Sequence, residues 1–176
     1  MKEKNHGKFL KAYEPIHHRL SGYCRALSGN REDARDLLQD TVLNVMQNME
    51  KIKDMAAFKT YVFRVAGNLH KMKMRRKKFR AGFNEEEIKS FLSTSGDQEA
   101  LTDLKIIYET IQKLPPKTAE TLFLFHVSDL PLEEIRNIQG GSLSGVKLRL
   151  KRGREKLLTW LNTPEKSTII MALFLI

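Results

Sequence analysis

Residues 130–154 read LPLEEIRNIQGGSLSGVKLRLKRGR, and this stretch decides what kind of fold the chain adopts. Pro131 suits the first turn of a helix, and Glu133 and Glu134 set negative charge at the positive end of its dipole. Leu132, Ile135 and Ile138 recur every three residues and form one apolar face. Gln139-Gly140-Gly141 marks a tight turn, and Ser142 supplies an N-cap for a second helix. There Leu143, Val146, Leu150, Gly153 and Leu157 form the inner stripe, while Ser144, Lys147, Leu148, Lys151 and Arg152 point the other way. A short helix, a glycine turn and a basic amphipathic helix have the layout of a helix-turn-helix whose second helix enters a major groove. A helical hairpin with a basic, solvated face is the competing reading.

Working outward, Leu104, Ile107, Tyr108 and Ile111 keep helical spacing ahead of Leu114-Pro115-Pro116. Ala119, Leu122, Phe123 and His126 resume it. These segments predict a C-terminal helical domain over 101–162. The preceding stretch, 81–100, contains Glu85-Glu86-Glu87 and Ser93-Thr94-Ser95-Gly96 without a sustained period. It reads as an acidic linker, with a short helical turn around Ile88 to Leu92. An N-terminal helical domain then occupies 8–80. Gly and Pro are sparse and long alternating β-branched runs are absent, so the expected fold is all-α, two small helical domains on a tether.

In the first domain Asn30 and Asp33 offer N-cap chemistry before a helix with apolar positions Ala34, Leu37, Leu38, Thr41, Val45 and Met49. Asp36, Gln39, Asp40, Leu43 and Gln47 fall together on its opposite face. Leu43 ringed by carboxylates and amides fits either an isolated exposed residue or a small protein-docking patch. A loop, Lys51 to Ala57, leads into a second long helix with an expected stripe of Phe58, Tyr61, Val62, Val65, Leu69 and Met72. Off that stripe lie Lys59, Phe63, Arg64, Asn68, His70 and Lys71, and then Arg75-Arg76-Lys77-Lys78. Cations for phosphate, an aromatic for stacking and an amide for base edges are the ingredients of single-strand recognition. Phe63 fits a core position equally well.

Charge points the same way. The formal net charge is +10, and Lys51 to Arg80 alone holds eleven Lys or Arg against one acid, Asp54. Lys147 to Lys156 adds six cations and one acid. Two separated cationic segments of one sign suggest two contacts with one long polyanion, and nucleic acid is the leading candidate.

Other classes recede. The chain carries no phosphate-binding glycine loop, no nucleophile elbow and no carboxylate pair with an acid–base role, so no catalysis and no cofactor are expected. His6, His17, His18, His70 and His126 lack Cys or Glu at metal-ligand spacing, and no metal is expected. One cysteine, Cys24, excludes an internal disulfide and reads as a buried thiol of a reducing, cytoplasmic compartment. Met1 to Lys11 has no apolar signal-peptide core. The tail, 163–176, ends in TIIMALFLI, which as a helix is too short for the ~30 Å hydrocarbon layer, so no stable membrane insertion is expected. Folding back onto an apolar groove is the expected fate of that tail, and a partner- or membrane-touching segment the alternative.

Four stretches in order resemble the bacterial extracytoplasmic-function (ECF) sigma factors of the sigma-70 family. They are Leu27 to Thr41 (LSGNREDARDLLQDT), Phe58 to Leu69 (FKTYVFRVAGNL), Leu114-Pro115 with Leu130 to Ile135 (LPLEEI), and Val146 to Arg154 (VKLRLKRGR). The resemblance implies a protein that binds core RNA polymerase, directs it to a promoter and helps open the duplex. It assigns Asp36, Gln39, Asp40, Leu43 and Gln47 to polymerase docking. Lys53, Phe58, Phe63, Arg64, Asn68, Lys71, Arg75 and Arg76 fall at or beside the −10 element and its unpaired strand. Ser142, Ser144, Lys147, Leu148, Lys151 and Arg152 fall at the −35 element. The linker corresponds to the segment threading the polymerase channel, and an anti-sigma factor is a possible further partner. A helix-turn-helix regulator acting without polymerase is the alternative, as is a polymerase-binding protein with decayed promoter recognition. Gly141, Ser144-Gly145, Leu148 and Gly153 depart from the family's usual residues. Two helix glycines cost roughly 1 kcal/mol each relative to alanine, so a weaker −35 contact or an unusual sequence preference is expected, with Leu148 a candidate to meet a thymine methyl.

Overall fold

The computed structural model describes residues 2–52, 54–80 and 110–160, and side chains for 6–52, 54–76 and 110–160. Among these residues every regular element is helical. The chain divides into two compact units, Met1–Ile88 and Lys89–Ile176. The boundary falls within the segment read as the linker, which lies outside the described residues, as do the tail and Leu104, Ile107 and Tyr108.

In the first unit α1 (Lys2–Tyr13) passes through one 3-10 turn, Glu14–Ile16, into α2 (His17–Ser28). The helix α3 (Arg31–Gln47) starts as its sequence dictates: the Asn30 side-chain oxygen accepts the Asp33 N–H at 2.7 Å, and Asn30 Nδ2 donates to Asp33 Oδ2 at 2.9 Å. Such a cap contributes about 1 kcal/mol. Ala34, Leu37, Thr41 and Val45 face inward as expected, and the buried Thr41 hydroxyl donates to the Leu37 carbonyl. A second cap opens the 3-10 turn Met55–Ala57 that leads into the next helix, with the Asp54 carboxylate accepting the Ala56 N–H at 2.8 Å. The helix α4 (Phe58–Arg80) then packs on α3, α2 and α1.

That three-sided packing corrects the expected stripe of α4. Phe58, Val62, Phe63, Ala66 and Gly67 are buried, Tyr61, Val65 and Leu69 are half-buried, and Met72 is exposed. The Phe63 ring lies 5.4 Å from that of Tyr23, with both side chains fully buried. Phe58 meets Phe9 edge-on at 6.0 Å, and Phe9 stacks on Tyr13. Cys24 is buried beside them in α2, and burial pushes its thiol up to about 12.

In the second unit α5 (Pro116–Leu122) runs on into a wider π turn, Phe123–Val127. It is followed by α6 (Leu132–Gln139) and α7 (Leu143–Trp160). The turn between α6 and α7 needs its glycines, since Gly140 and Gly141 have φ of 72° and 95°, values that L side chains rarely adopt. Gly153 serves close packing instead. A Cβ there would sit 3.0 Å from Thr118 Cγ2 and 3.1 Å from Leu122 Cδ1, so the glycine lets α7 cross α5 closely. The core between the three helices is Leu122, Leu124, Leu130, Ile135, Val146, Leu150 and Leu157. Leu143, expected in that stripe, is half-buried.

Candidate nucleic-acid and partner interfaces

On the first unit, burying Ala34, Leu37, Thr41 and Val45 turns the opposite face of α3 to solvent. Asp36, Gln39, Asp40, Leu43 and Gln47 are all exposed, and Leu43 is 56% exposed. Met46, three residues on from Leu43, is also open. The patch is a small apolar summit bounded by two carboxylates and two amides. One edge is tied to α4: Lys73 Nζ pairs with Asp33 and lies 4.0 Å from Asp36. Lys73 thus spends its charge in part within the unit.

On α4, Arg64, Asn68, Lys71 and Arg75 are exposed at spacings of four, three and four, so they form one line along the helix, with Arg76 beside it. That line spans roughly 16 Å at 1.5 Å per residue. Met72 and Met74 are exposed next to it. The two phenylalanines assigned to this surface are not on it. Phe58 and Phe63, 2% and 0% exposed, are consumed by the core: Phe58 lies on the apolar stripe expected of α4, and Phe63, off it, is covered because α2 as well as α3 packs on the helix. Neither ring stacks a base from this position. Lys53 lies outside the described residues.

On the second unit Ser142, Ser144, Lys147, Leu148, Lys151 and Arg152 are all exposed. Ser142 is also the N-cap: its Oγ accepts the Gly145 N–H at 3.1 Å and lies 3.0 Å from Ser144 Oγ. Lys151 is 3.8 Å from Glu155, an exposed pair one turn apart. Such a pair is worth a few tenths of a kcal/mol and leaves the lysine available.

Two cations of the basic run turn inward. Arg149 Nη2 donates to Gln139 Oε1 at 3.1 Å, and Arg149 Nε to Thr121 Oγ1 at 3.3 Å. Gln139 Nε2 donates to the nearly buried Glu120 carboxylate at 3.1 Å and to the Lys117 carbonyl at 3.2 Å. The Thr121 hydroxyl lies 2.7 Å from that same carbonyl. This network ties α5, the last residue of α6 and the first half of α7 together and fixes the angle of the basic helix. Sequence reasoning gave none of the four side chains this role, since a glutamine before a glycine turn carries no distinctive pattern.

Arg154 is the second inward cation. Its guanidinium stands 5.2 Å over the Phe125 ring and 3.3 Å from His126 Nε2. Burial, with Arg154 adding its charge, lowers His126 to about 4, so the ring is neutral near pH 7 and accepts from the guanidinium. Among the described residues no three His, Cys, Asp or Glu side chains gather as a metal site, and no helix is long and apolar enough to cross a membrane.

The chain matches the family Sigma-70 region 2 over residues 12–80 and the family Sigma-70, region 4 over residues 104–157. Together these stretches cover more than two thirds of its length. It is 25% identical to the ECF RNA polymerase sigma factor EcfG of Rhodopseudomonas palustris, over 78% of this chain and 76% of that one. It is 29% identical to the ECF RNA polymerase sigma factor SigW of Bacillus subtilis, over 76% and 78%. The sigma factor RpoE of Bartonella quintana, solved in complex with the anti-sigma factor NepR, shares the fold with a TM-score of 0.72 at 20% identity, covering 89% of this chain and 98% of that one.

Proposed function

The chain belongs to the sigma-70 family, as an alternative sigma factor of the ECF type, and from that premise we propose how its surfaces divide the work of initiation. The α3 face of Asp36, Gln39, Asp40, Leu43 and Gln47 docks on core RNA polymerase. Leu43 supplies the apolar anchor, and the carboxylates select a basic partner surface. The line Arg64, Asn68, Lys71 and Arg75, with Arg76, takes the promoter strand at the −10 element, where the cations hold phosphate and Asn68 meets a base edge. Lys147, Lys151 and Arg152 on α7 grip the −35 element in duplex form, with Ser142 and Ser144 at the helix start.

The observation that carries this reading is a pairing on one chain. A carboxylate-edged apolar patch and a cationic line share the unit matching region 2, and an exposed basic helix stands on the unit matching region 4. Unstacking a base costs a few kcal/mol. Two modest DNA contacts tethered to one polymerase meet that cost through effective concentration. The protein works in the cytoplasm, where promoters are, without catalysis or cofactor of its own, and an anti-sigma protein of the kind bound to Bartonella RpoE is a fitting regulator. Run-off transcription after core-polymerase pull-down tests the proposal. Co-elution with promoter-dependent transcripts is expected. Duplex binding without initiation would instead make it a regulator acting alone, and co-elution without initiation a protein with decayed promoter recognition.

A further inference from the structure

The DNA-facing side of α7 holds an apolar side chain where its neighbours are all polar or cationic. Leu148 is 45% exposed, between Lys147 and the pair Lys151 and Arg152. One turn earlier on the same face stand Ser144 and Gly145, one small and one without a side chain. Nothing on the helix therefore shields the leucine from that side. On its other flank it borders an open groove of about 360 Å³ shared with Thr118, Arg152 and Lys156. The core does not need it, since Val146 and Leu150 do the packing on either side.

Resting on the sigma-factor reading, we propose that Leu148 reads the 5-methyl group of one thymine in the −35 element. A leucine neither donates nor accepts a hydrogen bond. Against guanine, cytosine or adenine it would desolvate base-edge donors or acceptors and leave them unpaired, at a cost. The thymine methyl is the apolar group that a base pair presents in the major groove. The flanking cations clamp phosphates on both sides and hold the helix at that depth. The inward-turned Arg149, anchored to Gln139 and Thr121, fixes its angle. Leu148 is thus a specificity-determining residue, separate from the phosphate grip that sets affinity.

The test uses holoenzyme assembled from the full chain and core polymerase, selecting duplexes randomised upstream of a fixed −10 element. Wild type is expected to enrich a T·A pair at one position that Leu148→Ala and Leu148→Ser each relax, leaving the other positions unchanged. Replacing that thymine by deoxyuridine removes only the methyl. It should weaken wild-type binding roughly three- to fivefold, the size expected of one buried methyl, and leave Leu148→Ala unaffected. Equal deoxyuridine effects in both proteins, or no thymine position that depends on Leu148, overturn the inference while initiation by wild type keeps the sigma reading standing. A loss of core-polymerase binding in Leu148→Ala would instead mark the residue as a protein contact and also overturn it. Failure of wild type to initiate on any template sinks both.

Discussion

Phe63 has no exposed surface and its ring rests against Tyr23, so truncation opens a cavity between α2 and α4. Phe63→Ala should cost about 3–5 kcal/mol of stability, measured by urea unfolding of the purified chain. A stable variant with weakened −10 binding would return the ring to the DNA surface. Its aromatic character was plain in the sequence and its address was not, because a wheel assigns one inner stripe to a helix that here is covered from three directions. His126 presents a different residue-scale problem. Burial and Arg154 hold its folded-state pKa at about 4, below the ordinary 6.5 of the unfolded chain. Between those values the unfolded chain binds more protons, so stability is fully present above about 6.5 and falls as pH drops toward 4. Arg154 is a charged group at the ring, with the Phe125 face beside it. The ring is partly solvated, so the loss is discounted to a few degrees in Tm. His126→Asn should flatten that slope relative to wild type in thermal melts at pH 7 and pH 4.5, and an identical slope in both proteins would remove His126 as its source.

The helix α7 shows at the scale of an element why charge counting overstates a DNA contact. Of its six cations, Arg149 and Arg154 are spent on Gln139, Thr121, His126 and Phe125. That leaves Lys147, Lys151 and Arg152 on the outward face, with Lys156 bordering the groove beside Leu148. Removing one phosphate-binding cation lowers the salt slope of binding by about 0.9. Lys147→Ala combined with Arg152→Ala should therefore flatten log K against log salt by about two, read by fluorescence anisotropy of holoenzyme on duplex promoter. An unaltered slope would take this helix away from the DNA. The cap at Ser142, the turn glycines and the inner stripe of α7, Leu143 apart, were legible from residue type and spacing alone, as was the exposure of Ser144, Lys147, Leu148, Lys151 and Arg152. Gly153 was read from propensity alone, because the close crossing of α5 and α7 at which it sits is a tertiary fact no local pattern carries. The Gln139 network was hidden for the same reason, its partners lying 10 to 22 residues away in the chain.

For the whole molecule the question is how the two DNA contacts proposed for separate units share one outcome. If polymerase holds the first unit through the α3 face, damage to that face should act on every template, whereas damage to α7 should matter only where upstream duplex must be gripped. Asp40 is exposed, and nothing in the core depends on it. Reversing its charge should therefore leave the fold intact while weakening core-polymerase binding at least tenfold, about 1.4 kcal/mol. The comparison is run-off transcription on a duplex promoter and on the same promoter opened in advance at the −10 element. Asp40→Lys should lose activity on both. Lys147→Ala with Arg152→Ala should lose it on the duplex and recover much of it on the opened template, because the melting cost that the α7 contact helps to offset has been removed. Equal losses by the two variants on both templates would mean that the units do not act through a common polymerase anchor. Full activity of Asp40→Lys would move the docking surface off α3 altogether.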